Sequence, residues 1–372
     1  MSNLGIIPAT ATQLRSYIAP GAPATRCVAN GTEPFIRPEI GFTPKWYRDA
    51  LGISFGERWH VNPEYRRESI VAMRAELHKR FPGANIGGCE NDGPLDLLTG
   101  TFGACVVASL YGASIHYQDD NWPVAEHLLL SDEEIDALSP PDLESNPFFQ
   151  ALLEQVEWIA QREGRVVGYI NWQGILNNAH RLRGETLLLD LLAYPERCHH
   201  LFDCVCTTMV NAAKILHARQ RASGFDVQFF TVSNCLVNLV SGGHYRDLLL
   251  PYDIRIAEAF DCIGIHNCAW CVDPYIDPYA EVPRVGYVDM GVDSDLPRIR
   301  ATFPAARRAV MYRPTDLASR GDYELRDDMR RIARDLGPCD IVAADIESDT
   351  PDEKVLALID VCRRLSAEFN ES

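Results

Sequence analysis

The stretch HNCAWC, from His266 to Cys271, contains three residues whose side chains bind metal ions or react as thiols. His266 and Cys268 are two positions apart, so on an extended strand their side chains point to the same face and could bind one ion. Catalytic zinc normally takes three protein ligands and leaves one position for water or substrate. Asp345 and Glu347, at the end of the last predicted strand, are the candidates that complete the site, Glu347 before Asp345.

Two alternatives to a metal site remain for this stretch. His266 and Cys268 could instead be a hydrogen-bonded histidine beside a buried cysteine, which is the usual environment of an unreactive thiol. Cys268 and Cys271 form a C-x-x-C motif, but redox motifs of this type begin a helix that lowers the thiol pKa, whereas Asp273 and Pro274 follow here. The sequence therefore does not favour a redox pair.

Polar side chains also follow the other predicted strands. Amide and hydroxyl groups would orient a substrate, and indole rings would form apolar walls. The predicted catalytic residues are His266, Asp289 and Arg313, the predicted metal ligands are His266, Cys268, Glu347 and Asp345, and the predicted substrate-binding residues are Asn171, Trp172, Gln173, Asn234, Trp270 and Tyr312.

These residues come from elements that alternate between strand and helix. Short apolar runs such as FDVQFFTVSNC, CIGIHNC, VGYVDMG, RAVMYRP and CDIVAADIE are each followed by a helical pattern or a long crossover. This order favours parallel strands covered by helices on both faces. No G-x-G-x-x-G motif follows a strand, so we predict a (β/α)₈ barrel, with an open doubly wound sheet as the alternative. In such a barrel the active site lies at the C-terminal ends of the strands.

Residues 1–43 predict an N-terminal arm, because they are rich in Pro, Gly, Ala and Thr and lack regular apolar spacing. Residues 44–372 predict a single barrel domain that includes N-terminal helices. The chain has 372 residues, of which 47% are hydrophobic, so it can bury a large core. Twelve cysteines without an export signal indicate reduced thiols and a cytoplasmic location.

The overall charge limits the class of partner. The formal net charge is −17 and lysine and arginine form no cluster, which argues against a nucleic-acid interface. No run of eighteen apolar residues indicates a membrane span. We expect a small-molecule substrate.

The order of motifs resembles that of the uroporphyrinogen decarboxylase superfamily over roughly residues 90 to 365. The similar segments are VGYINWQGILNNAHRLRGETLLLDLLAYPERCHHLFD, SGFDVQFFTVSNCLVNLVSGGHYRDLLLPYDIRIAEAF, GIHNC and CDIVAADIESDTPDEKVLALIDV. GIHNC stands where the zinc-dependent corrinoid methyltransferases of the superfamily carry their zinc-binding H-x-C motif. The resemblance implies a (β/α)₈ barrel, Zn²⁺, and a cobalamin or other corrinoid as methyl carrier, usually on a separate small corrinoid protein. It is also compatible with a homodimer.

The chain also departs from this pattern. It has no R-x-P-x-W-x-M-R-Q-A-G segment, which grips the substrate carboxylates in the decarboxylase. In the methyltransferases a second cysteine at the end of the last strand completes the metal site, whereas Ile346 stands opposite it here, between Asp345 and Glu347. Cys339 lies at the other end of that strand. The resemblance thus implies a metal site of which only the H-x-C half is matched.

Three functions follow from these observations. The first is a zinc-dependent methyltransferase that moves a methyl group between a small methylated compound and a corrinoid. A carboxylate ligand would make the ion harder, which favours an oxygen leaving group and O-demethylation of a methoxy substrate. The second is a metal-independent decarboxylase or lyase that uses Arg313, His266 and Asp289 on a small carboxylate. The third is a non-catalytic binding protein on the same fold.

Overall fold

The structure, a computed structural model, describes residues 29–87, 93–227 and 229–370. Its strands are β1 Ile36–Phe42, β2 Ile115–His116, β3 Val124–Ala125, β4 Phe229–Ser233, β5 Cys262–His266, β6 Val285–Gly291, β7 Arg307–Met311 and β8 Cys339–Ile346. Six of them form a parallel sheet in the order β1-β8-β7-β6-β5-β4. β2 and β3 form a separate antiparallel hairpin, which replaces the single strand that ASIHYQDDNWPVAEH predicts.

Helices surround the sheet, and several begin where the sequence predicts. They are α1 Pro44–Leu51, α2 Glu57–Val61, α3 Pro63–Arg80, α4 Val106–Leu110, α5 Asp132–Asp136, α6 Pro147–Glu163, α7 Ile175–Arg183, α8 Thr186–Ala193, α9 Pro195–Ala222, α10 Gly242–His244, α11 Leu250–Ala259, α12 Ile276–Ala280, α13 Leu296–Thr302, α14 Pro314–Ser319, α15 Asp322–Leu336 and α16 Asp352–Asn370. Ser131 followed three residues later by Glu134 predicts a capping box, and α5 begins with it: Glu134 N donates to Ser131 Oγ at 3.2 Å. None of the helices in the described part of the chain is long and apolar enough to cross a membrane.

The stretch 165–173 occupies the next strand position of the barrel, beside β4. The Trp172 ring stacks on that of Phe230 at 6.3 Å, and Ser233 Oγ donates to Asn171 Oδ1 at 3.2 Å. The alternating pattern of RVVGYINWQG predicts a strand here, but within the described residues the stretch is not hydrogen-bonded into the sheet. The predicted barrel is therefore confirmed as a TIM-barrel-like α/β fold in which six strands form a continuous ladder.

Strand β1 lies within the segment predicted as an N-terminal arm. Arg37, Pro38 and Glu39 interrupt its apolar pattern, which hides the strand in the sequence. In the structure β1 is the edge of the hydrogen-bonded sheet, where a proline without an N–H is tolerated, and it pairs with β8 alone. Residues 1–28 of the predicted arm lie outside the described residues.

The polar residues of β1 face the interior of the barrel. Arg37 donates from Nε to Asp340 Oδ1 at 3.0 Å and from Nη2 to Oδ2 at 2.8 Å, and Arg307 Nε donates to Oδ1 at 2.8 Å. All three side chains are buried. Burial alone would raise the pKa of Asp340, but Arg37 and Arg307 outweigh it and lower that pKa. This charged network links β1, β7 and β8 below the site described next.

Candidate metal centre

The ends of β4 and β5 lie side by side and bring two cysteines and a histidine together. Ser233 pairs with His266 in the parallel ladder, and Asn234 N donates to His266 O at 2.7 Å. Two residues beyond each of these strand ends are Cys235 and Cys268, whose Sγ atoms are 3.0 Å apart. Cys268 Sγ is 3.3 Å from His266 Nε2, and the three candidate ligand atoms all lie within 4.8 Å of one another.

His266 is held so that one ring nitrogen faces the thiols. Its Nδ1 is 2.7 Å from Asp289 Oδ2, and both side chains are completely buried. Tyr287 Oη donates to the same carboxylate oxygen at 3.0 Å, while Asn267 N donates to Asp289 Oδ1 at 2.7 Å. A carboxylate behind a histidine fixes the ring and strengthens the other nitrogen as a metal ligand. The burial of His266 lowers its pKa, but Asp289 and Cys268 together outweigh this effect and raise the pKa to about 10.

Cys268 reaches the cluster through a turn and not by continuing the strand. β5 ends at His266, and Cys268 adopts a left-handed backbone conformation with φ of 56°. This conformation is uncommon for a residue other than glycine. The pKa of the Cys268 thiol is raised, because it donates a hydrogen bond to Cys235 Sγ and because it is buried.

The donor set suits a zinc ion. Two cysteine sulfurs and one imidazole nitrogen are a common set of ligands for Zn²⁺, and three protein ligands leave a fourth position open. The ligands of a tetrahedral zinc ion with these bond lengths are about 3.5–3.8 Å apart. The observed separations of 3.0 and 3.3 Å reach this value after small rotations of the thiols.

The two predicted carboxylate ligands lie outside this cluster. Ile40 pairs with Ala343 but Phe42 pairs with Ile346, so β8 carries one extra residue at this point. This β-bulge includes Asp345, whose φ is 57°. A bulge changes the direction of a side chain, and Asp345 therefore lines the cavity beside the cluster. In a regular strand, where side chains alternate between the two faces of the sheet, Asp345 would point to the face opposite the cavity.

Glu347 is directed away from the cluster. Its Oε2 accepts a hydrogen bond from Thr43 Oγ1 at 3.3 Å, and it does not line the cavity. The prediction that Glu347 precedes Asp345 as a ligand assumed that both carboxylates share one face, which the bulge prevents. Desolvation at the cavity wall and repulsion by Glu347 raise the pKa of Asp345 to about 6.

The cavity beside the cluster has a volume of about 150 Å³. Its walls come from β1, β7, β8 and the turn after β5. They combine apolar side chains with two carboxylates, from the buried Glu39 and from Asp345. The lining residues are Glu39, Ile40, Gly41, His266, Cys268, Ala269, Met311, Tyr312, Arg313, Pro314, Val342, Ala344 and Asp345.

Comparison with known protein families agrees with this architecture. The family profile described as uroporphyrinogen decarboxylase (URO-D) matches residues 91–365, which is most of the chain. The chain belongs to the URO-D family. No curated protein sequence matches it significantly.

Solved structures are also similar to this chain. A methyltransferase from Methanosarcina mazei is 17% identical, with a TM-score of 0.63 over 96% of this chain and 97% of that one. A B12-independent methionine synthase from Shewanella sp. W3-18-1, solved in complex with selenomethionine, is 11% identical, with a TM-score of 0.46 over 91% and 98% of the two chains. The likeness to the Methanosarcina protein extends over nearly the whole of both chains and concerns the fold.

Within this URO-D barrel, several predicted substrate-binding residues have structural roles. Asn234 donates from Nδ2 to Asp253 Oδ2 at 2.9 Å and is buried. Asn171 Oδ1 accepts from Gln173 N at 3.0 Å, and Gln173 Oε1 accepts from Asn177 Nδ2 at 2.9 Å. These amides stabilise the loops after the strands, and none of the three predicted amides lines the cavity.

Of the three aromatic residues predicted to bind substrate, two also lie outside the cavity lining. Trp172 is buried against Phe230, and Trp270 packs edge-on against Tyr275 at 5.3 Å, so neither lines the cavity. Tyr312 does line it, while its hydroxyl donates to Asp328 Oδ2 at 2.8 Å. The predicted catalytic residues Arg313 and Asp289 both have partners within the protein. Arg313 lines the cavity and forms an ion pair with Asp293, and Asp289 is hydrogen-bonded to His266.

Proposed function

We propose that this protein is a zinc-dependent methyltransferase that moves a methyl group between a small substrate and a corrinoid. The observation that carries the proposal is the cluster of Cys235, His266 and Cys268 at the C-terminal ends of parallel strands, beside a cavity of about 150 Å³. This is the end of a barrel at which catalytic groups gather.

Bound zinc would supply Lewis acidity that lowers the pKa of a coordinated thiol and keeps it as a thiolate at neutral pH. Cys235 and Cys268 would hold the ion as thiolates, and His266 as a neutral imidazole through Nε2. Asp289 would keep the His266 proton on Nδ1, 2.7 Å away. The apolar cavity walls, including Met311 and Val342, would limit the access of water to the reacting sulfur.

The identity of the third ligand changes the substrate that we propose. A carboxylate ligand would favour an oxygen leaving group, but Cys235 in its place makes a softer set of donors. A soft site favours a sulfur ligand, so methyl transfer to or from a thiol is better supported than O-demethylation of a methoxy compound.

The corrinoid would have to reach the cavity from outside. A cavity of about 150 Å³ is far smaller than a corrinoid macrocycle, so it accommodates only the small substrate. We therefore propose that a corrinoid protein docks over the C-terminal ends of the strands.

The metal-independent decarboxylase has weaker support. It needs Arg313 as a clamp for a carboxylate, but this guanidinium forms an ion pair with Asp293. It also needs His266 as an acid or base, whereas Nε2 of His266 faces Cys268 at 3.3 Å.

Metal analysis of the purified protein tests the proposal. The wild type should contain close to one zinc ion per chain, and Cys235→Ala and Cys268→Ala should each lose it. Cys271→Ala is the matched control, because Cys271 is an exposed cysteine of the same loop outside the cluster and should retain the ion. A wild type without metal after zinc loading would overturn the proposal and leave the lyase or the binding protein. Methyl transfer to free cob(I)alamin or from methylcobalamin then tests the reaction.

A further inference from the structure

The charges around the cavity restrict the ligand further than the metal cluster does. Glu39 and Asp345 both line the cavity, and they come from neighbouring strands at the wall formed by β1 and β8. Glu39 is only 2% exposed, whereas Asp345 is accessible from the cavity. The wall beside the candidate zinc ligands is therefore anionic.

The basic groups near this wall, among the residues that the structure describes, form ion pairs with carboxylates. Arg313 is the one arginine among the described lining residues, and it pairs with Asp293. Arg37 approaches Glu39 at 3.9 Å but makes its short contacts with Asp340, which also binds Arg307. His266 would be a neutral ligand once metal is bound. A carboxylate or sulfonate on the ligand would thus be repelled by the Asp345 carboxylate at this wall, whereas an ammonium group would be attracted to it.

We infer that the thiol substrate of this site also carries an ammonium group, which binds the carboxylates of Asp345 and Glu39 while its sulfur binds the metal. The inference rests on the proposed zinc site and adds the chemical class of the substrate. The cavity supplies a soft metal-binding end formed by Cys268 and His266 and an anionic wall, and an aminothiol matches both. The apolar side chains between them, such as Met311 and Ala344, suit a short hydrocarbon linker.

Three small thiols of equal chain length test the charge preference. Cysteamine, 2-mercaptoethanol and 2-mercaptoethanesulfonate share the HS–CH₂–CH₂ unit and end in an ammonium, a hydroxyl and a sulfonate. Cobalt(II) in place of zinc provides the readout, since a thiolate that binds cobalt adds a charge-transfer absorption band. Titration of the full-length cobalt protein at pH 7.5 should give the tightest binding for cysteamine and the weakest for the sulfonate.

Variants separate the effect of the wall from the intrinsic chemistry of the thiols. An ammonium group also lowers the pKa of its own thiol, so the quantity compared is the ratio of the cysteamine and 2-mercaptoethanol affinities. We expect Asp345→Asn to lower this ratio about tenfold, which corresponds to the loss of one charge-assisted hydrogen bond. Glu39→Gln should lower it as well. Asp349→Asn, an exposed acidic residue of the same loop outside the cavity lining, should leave the ratio unchanged.

The outcomes are distinct. A protein that binds cobalt and thiols but shows the same ratio in wild type and Asp345→Asn overturns the inference while the proposed metal site stands. Tighter binding of the sulfonate than of cysteamine also overturns it. A wild-type protein that binds no metal overturns both proposals. Thermal unfolding of each variant checks that it is folded, and should Glu39→Gln fail to fold, the accessible Asp345 still decides the result.

Discussion

The Sγ atoms of Cys235 and Cys268 lie 3.0 Å apart, although 32 residues separate these cysteines in the chain. Each follows the end of a strand by two positions, and the two strands are neighbours in a parallel ladder. Parallel strands end at the same edge of a sheet, so equal spacing after each strand brings the two thiols together. This relationship defines the candidate metal centre.

Oxidation should convert this pair into a disulfide. The two sulfurs need to approach by only about 1 Å to reach the S–S bond length of about 2.05 Å. We expect mild treatment with diamide to release bound metal and to remove two titratable thiols. Dithiothreitol should restore the two thiols and the ability to bind metal. Mass spectrometry after alkylation and proteolysis would locate the bond. Zinc loaded beforehand should slow the reaction. Cys235→Ala should lose the response, whereas Cys271→Ala should keep it; a bond that includes Cys271 would contradict this prediction.

The sequence predicts the barrel well because its alternation of apolar runs and helical patterns depends on local spacing. It also contains a signal for Cys235, since SNC at residues 233–235 repeats the spacing of HNC at residues 266–268. The repeat becomes informative only when the two strands are known to pair in register, which is a long-range property.

Asp345 shows a different limit of the sequence. A bulge in β8 depends on how this strand pairs with β1, and β1 itself is hidden in the sequence by Pro38 and its charged neighbours. After a bulge, the side chains no longer alternate between the two faces of the sheet in the regular way that sequence reasoning assumes. For the same reason the cavity residue Glu39 could not be assigned from the sequence.

Asp289→Asn should weaken metal binding without removing a metal ligand. Both carboxylate oxygens of Asp289 accept hydrogen bonds, from His266, Tyr287 and Asn267. An amide would point an NH₂ group at one of these donors and disturb the His266 ring. We expect a loss of about 10- to 100-fold in zinc affinity, measured by competition with a chelator. Asp293→Asn, at an exposed ion pair, should change zinc affinity less than twofold, and equal losses in both variants would contradict the role of Asp289.

Asp340→Asn should destabilise the barrel itself. The substitution leaves Arg37 and Arg307 buried without the carboxylate that binds both, and we expect a loss of about 3–5 kcal/mol in the free energy of unfolding. Urea unfolding followed by circular dichroism measures it. The exposed Arg334–Asp335 pair gives the control, since Asp335→Asn should cost less than about 1 kcal/mol.

The stability that Asp340 contributes should also depend on pH. Because the pKa of Asp340 is lowered on folding, its contribution to the free energy of unfolding is present above its ordinary pKa and falls at lower pH.

The preference for an ammonium group should depend on pH through Asp345. Desolvation and repulsion by Glu347 raise the pKa of Asp345 to about 6, while His266 acts in the opposite direction. The carboxylate is therefore mostly ionised at pH 7.5 and mostly protonated at pH 5. The ratio of cysteamine to 2-mercaptoethanol affinity should be highest above pH 7 and should fall as the pH decreases through about 6.

Asp345→Asn distinguishes this titration from that of the metal ligands. Protonation of Cys235, Cys268 or His266 weakens the binding of both thiols equally and cancels in the ratio, whereas protonation of Asp345 affects only the ammonium compound. The ratio should therefore vary with pH in the wild type and stay flat in Asp345→Asn across pH 5 to 7.5. The same pH profile in both proteins would assign the titrating group to another residue and contradict the role of Asp345.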